Sequence, residues 1–140
     1  MAKKKDFEIL NHTADVGIIA YGADMKQAFA NAGRALFSLI TELDDVEEVL
    51  YRDIELTASD KESLLVDWLN ELVYQFDTEG VLFKRFDFIQ LDETYLKAKG
   101  YGEKADSSKH NLKTGVKGAT YHMLKVDKTD GCRVQVLFDI

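Results

Sequence analysis

From Asp24 to Leu43 the apolar residues recur at intervals of three and four: Met25, Ala28, Phe29, Ala32, Leu36, Leu39, Ile40 and Leu43. A stripe with that spacing has to be buried against something, so the segment reads as an amphipathic helix on a core. Asp24 stands in the N-cap position, with Gln27 three residues on. A second stripe follows at Leu65, Trp68, Leu69, Leu72, Val73 and Phe76. Before it, "SDKE" reads as a Ser59…Glu62 capping box, and Gly80 is placed to end it. Helical spacing assigns this aromatic stripe to the core rather than to a ligand site.

Around these helices the apolar period changes to two. In "YRDIELTA", Ile54, Leu56 and Ala58 alternate with Asp53, Glu55 and Thr57, as in a half-buried strand. "FEIL" and "VGIIAY" read as strands on either side of the polar "NHTAD". "VLFKRFDFIQL", a turn at "DET", and "YLKAKGYG" follow the second helix. After the polar loop "EKADSSKHNLKTG", the segments "ATYHMLKVD" and "CRVQVLFDI" form a final hairpin across "KTDG". Two helices and six or seven sequential strands predict an α+β fold. We expect a two-layer arrangement, with an antiparallel or mixed sheet packed against both helices. The chain has no proline, repeat or low-complexity tract, so residues 1–140 are expected to form a single domain.

Composition narrows the function classes. The net charge of −7 makes the chain as a whole a poor phosphate-backbone binder, and the basic "AKKK" at Ala2–Lys5 reads as a solvated end. An acidic surface suits basic protein partners or metal cations better. The single cysteine, Cys132, allows neither an intrachain disulfide framework nor a cysteine zinc site. The start "MAKKKDFEIL" lacks the apolar stretch of a secretory signal, and no apolar run is long enough to cross a membrane. A cytoplasmic location is the expectation.

The residues that could carry chemistry interrupt the strands. They are His12 and Asp15 in "NHTAD", Glu103, Asp106 and His110 in the long loop, Lys117 and His122 in "VKGATYH", and the closing "FDI". No phosphate loop, nucleophile elbow or HExxH motif appears. A Ser-His-Asp set lacks any local signature, and three scattered histidines (His12, His110, His122) are weak grounds for zinc. The acidic end is more informative. Ionised carboxylates only accept hydrogen bonds and repel one another unless a cation lies between them. Asp139 and the Ile140 α-carboxylate supply two oxygen groups on adjacent residues, and a loop aspartate such as Asp15 is a candidate third. Oxygen-only sets select hard cations. Solvated charges at a frayed terminus are the competing explanation.

"HTADVGI", "LLVDWLNELVYQFD", "GE" with "KH", "VKGATYH" and "FDI" together resemble the archease family, in that family's order, from His12 to Ile140. The resemblance implies a small cytoplasmic, non-catalytic protein cofactor of the RtcB-type RNA-splicing ligase. It implies faster guanylylation of that ligase by GTP, multiple turnover, and contact with tRNA only through the ligase. It implies metal binding by Asp15, Asp139 and Ile140, most simply of calcium, with magnesium or manganese as alternatives. It also implies a role in activation for Lys117, to which His12 is added. Gly118 stands where the family commonly has alanine. Two other readings are open: a stand-alone metal-dependent phosphoester hydrolase with His12 as base, and an RNA-binding chaperone.

Overall fold

The computed structural model describes residues 5–11 and 15–140. Seven strands and two long helices follow in the order β1 (Phe7–Asn11), β2 (Val16–Gly22), α1 (Met25–Ile40), β3 (Leu50–Thr57), α2 (Lys61–Glu79), β4 (Val81–Leu91), β5 (Tyr95–Lys104), β6 (Gly118–Asp127) and β7 (Cys132–Asp139). The class is α+β, as the two periodicities predict. The strands divide into two antiparallel sheets, ordered β1-β2-β7-β6 and β3-β5-β4.

Helix α1 begins where expected. The Asp24 side chain accepts from the Gln27 N–H at 2.9 Å, and the Gln27 side chain accepts in return from the Ala23 N–H at 2.6 Å. Its stripe is buried through Ile40, and the helix stops there rather than continuing to Leu43. Leu43 instead opens a short 3-10 turn, Leu43–Asp45, and is half-buried. The second helix starts one residue later than the Ser59…Glu62 capping box predicts. Asp60 is the cap and accepts from the Ser63 N–H at 2.7 Å. An aspartate caps as well as a serine does, so either residue satisfies the free N–H groups. Gly80 ends α2 with φ 68, a left-handed conformation that costs glycine little.

The two sheets meet through α1, which packs on β2 and β7 of one and on β4 of the other. Gly33 makes the second contact possible, since a Cβ there would lie 2.6 Å from Phe86 Cε2. Trp68 of α2 completes the core. It is fully buried, stacks edge-on with Phe86 and Phe88 at 5.2 and 4.8 Å, and donates its indole N–H to the Phe29 carbonyl at 3.0 Å. Among the described residues no helix is long and apolar enough to cross a membrane.

Trp68→Ala removes this junction of α1, α2 and β4 and leaves a large cavity. It should destabilise the protein by about 3–5 kcal/mol. Thermal unfolding followed by circular dichroism checks this, and an unchanged midpoint would show that the indole is not the anchor described.

Candidate metal and activation site

The site is assembled by the pairing of β2 with β7. Val16 pairs with Phe138 at the last rung of this ladder, so Asp15, the residue before β2, lies beside the end of β7 that carries Asp139. On the other side of β7, Gly118 pairs with Asp139, and the Lys117 N–H donates to the Asp139 carbonyl at 2.8 Å. Strand β2, distant in sequence, and the β6–β7 hairpin therefore bring Asp15, Lys117, Asp139 and Ile140 to one end of the four-stranded sheet.

Asp15 is half-buried, while Asp139 and Lys117 are exposed. Among the described residues, the side chains of Asp15, Asp139 and Lys117 have no hydrogen-bond or ion-pair partner. Asp15 and Asp139 bring two carboxylates to this end of the sheet, and carboxylates supply oxygen donors only. Such a set fits a hard divalent ion. Among the described residues, His, Cys, Asp and Glu side chains alone do not form a group of three able to hold a metal. Alternation puts Ile140 on the same strand face as Val134, Val136 and Phe138, yet Ile140 is 48% exposed. The strand has ended at Asp139, and its alternation no longer governs the next residue. His12 lies outside the described residues.

Two features next to the site are not evident from sequence. Asn70, half-buried on α2, accepts from the Ala119 N–H at 2.7 Å and so holds the free edge of β6 just past Lys117. A Cβ at Gly118 would sit 3.0 Å from that Asn70 Oδ1, so an alanine here would press on the same amide. The only early sign is an amide beside the apolar stripe of α2, in "DWLNEL". Further along, the β6–β7 register passes from Thr120↔Leu137 directly to Lys125↔Gln135. Tyr121, His122, Met123 and Leu124 thus bulge opposite Val136 alone. Met123 has φ 56, and the buried Gln135 amide fixes the bulge by donating to the Met123 carbonyl at 2.9 Å. Tyr121 and Met123 are left 59% and 48% exposed. The sequence predicts His122 within this strand, and it lies on the bulge.

Glu103, expected in the long loop, lies near the end of β5, and with Asp106 and His110 of the loop it forms a separate cluster. His110 Nε2 lies 3.1 Å from Glu103 Oε2, and Lys109 Nζ lies 2.9 Å from the same oxygen. Burial pushes the Glu103 carboxyl upward, but Lys109, the Glu47 N–H and His110 outweigh it and hold the group below the usual carboxylate range. The Ser108 hydroxyl and N–H lower the Asp106 carboxyl. Burial raises the Cys132 thiol, which suits a packing residue rather than a nucleophile.

Residues 7–140 match the family model of the Archease protein family (MTH1598/TM1083). The archease of Sulfolobus acidocaldarius is 40% identical over 126 residues, which is 89% of this chain and 91% of the relative. That of Methanosarcina mazei is 39% identical over 141 residues, 97% of each chain. The solution structure of Methanobacterium thermoautotrophicum protein 1598 superposes with a TM-score of 0.83 at 36% identity, covering 96% of this chain and 99% of that one. A Thermotoga maritima archease, described as a possible chaperone, shares the fold with a TM-score of 0.65 at 20% identity, over 100% and 98% of the two chains. The family model spans nearly the whole sequence, and the relatives match over most of their own lengths: the chain belongs to the archease family.

Proposed function

We propose that this protein activates a GTP-dependent RtcB-type RNA-splicing ligase by docking on it, and carries no catalysis of its own. The observation that supports this most is the convergence of Asp15, Asp139, Ile140 and Lys117 at one sheet end, with both aspartates and the lysine lacking a partner among the described residues. Asp15, Asp139 and the Ile140 carboxylate would hold a divalent ion, most simply calcium. Once bound, such an ion supplies positive charge for triphosphate oxygens and for a departing pyrophosphate.

The chain's own residues have distinct parts in this reading. The aspartates concentrate negative charge at the tip of the β2–β7 pair, where an exposed strand end can reach into a partner's cleft. Lys117, anchored through its backbone to Asp139, would contribute an exposed ammonium at the same sheet end. Its flexible stem allows it to offset phosphate charge. Acting in the cytoplasm, the protein would meet tRNA through the ligase rather than by a phosphate-binding surface of its own.

The direct test is the rate of ligase guanylylation from labelled GTP, with and without the protein. Acceleration supports the proposal, and an unchanged rate removes it. Consumption of GTP or phosphodiesters by the protein alone would favour the hydrolase reading instead. Asp15→Ala should abolish stimulation with an unchanged circular dichroism spectrum, because a strand-end carboxylate contributes charge rather than core area. Full stimulation by the folded variant would exclude Asp15 from the site. Lys117→Ala should bind the cation as before yet lose stimulation, and Lys117→Arg should recover only part of it, because a planar guanidinium does not replace a compact ammonium. Normal stimulation by both variants would reduce Lys117 to a strand-edge residue that discourages pairing.

A further inference from the structure

Residues 105–117 connect the two sheets, leaving β5 at Lys104 and entering β6 at Gly118 without a helix or strand of their own. Connections of that length are uncommon in compact domains and tend to be either functional or loose. This one is held along its length. Its first residue, Ala105, donates to the Gly80 carbonyl at 2.7 Å. Further on, Thr41 Oγ1 donates to the Asn111 carbonyl at 3.1 Å, and the N–H groups of Lys113 and Thr114 donate to the carbonyls of Ile40 and Leu39 at 2.8 and 3.2 Å. The last two bonds satisfy carbonyls that the C-terminus of α1 leaves open. Val116 is buried, and Lys117 then bonds to Asp139.

Between the first anchor and the α1 anchors the path of the chain is set by His110, whose side chain is 0% exposed. The Asp106 N–H donates to His110 Nδ1 at 2.9 Å, and the His110 N–H returns a bond to the Asp106 carbonyl at 2.7 Å. Because Nδ1 accepts, the ring proton is on Nε2, which donates to Glu103. The imidazole is therefore neutral, with both nitrogens used. Glu103 Oε2 also accepts the Glu47 N–H at 2.6 Å, and Lys109 bridges Glu103 and Glu47 at 2.9 and 3.0 Å. One buried ring thus joins the end of β5 to the turn that launches the connection, and Glu103 ties both to the segment leading to β3.

We propose that His110 is a positioning residue for Lys117. The Glu103–His110–Asp106 lock holds the connection against α1 and so fixes where Lys117 stands beside Asp139. The functional half of this inference rests on the reading that Lys117 takes part in ligase activation; the structural half does not.

Amide hydrogen exchange on the full-length protein separates the two halves. In His110→Ala and Glu103→Ala, exchange at the Lys117 amide should rise on the order of tenfold, while core amides of α2 such as Leu69 keep their protection. Glu103→Gln retains an acceptor for Nε2–H, so its Lys117 exchange should stay within about threefold of the native rate. Ligase stimulation should fall in the two alanine variants and persist in Glu103→Gln. Unchanged Lys117 exchange in the folded alanine variants would overturn the proposal. So would an equal rise at Leu69, which reports a general loss of stability. If the alanine variants do not fold, the ring nitrogen NMR shifts of His110 in the native protein decide the matter. The Nε2–H tautomer is expected, and the Nδ1–H tautomer would break the lock as described. Should the native protein fail to stimulate the ligase, the activation reading falls, while the exchange result still judges the lock.

Discussion

The β2–β7 ladder is the constraint on which the rest depends. It joins the two ends of the sequence, from Val16↔Phe138 to Gly22↔Cys132, and forms the centre of the four-stranded sheet. Its inner face carries Ile18, Ala20, Val134, Val136 and Phe138, all fully buried. The entropic cost of closing so long a loop grows only slowly with length, and burial on this face offsets it. Register is strongly specified as a result. A slip of one residue would turn Asp139 into the core and Phe138 out of it. The register that keeps Phe138 inside also brings Asp15, just before β2, to the sheet end that carries Asp139.

The second sheet contributes indirectly. It shares no strand with the first, and the two are linked through α1, the Trp68 contacts and the connection locked by His110. That connection reaches Lys117 only after making three bonds to the C-terminal end of α1. The lysine's backbone is therefore referenced to the core and to the end of β7.

The helices were legible because a 3.6-residue period leaves few alternatives, and Met25 to Ile40 and Leu65 to Val73 are buried as their spacing requires. Strand positions were legible from alternation and turns, but their division into two sheets was not, since partners far apart leave no local pattern. Cap choice between Ser59 and Asp60 turned on one residue, and both can accept the same bond. The bulge at Tyr121–Leu124 gives no warning in an ordinary strand composition; it shows only when Gln135 is seen to hold the Met123 carbonyl. The likeness to archeases drew attention to Asp15 and Lys117 together with the chain end, whereas spacing alone left the chain end open to a frayed, solvated explanation. The role of Asn70 and the depth of His110 belong to tertiary packing and have no sequence period.

The central claim is that the sheet end is a cation site completed by the Ile140 carboxylate. Calcium calorimetry on the protein ending at Ile140, and on the same protein extended by a few residues at either end, tests it most directly. A C-terminal extension turns that carboxylate into a neutral amide while leaving the core strands intact. Affinity should then fall on the order of tenfold or more, because hard-ion binding follows ligand charge, whereas an N-terminal extension should leave it unchanged. Equal affinity in all three forms, or no calcium binding in any, would contradict the account.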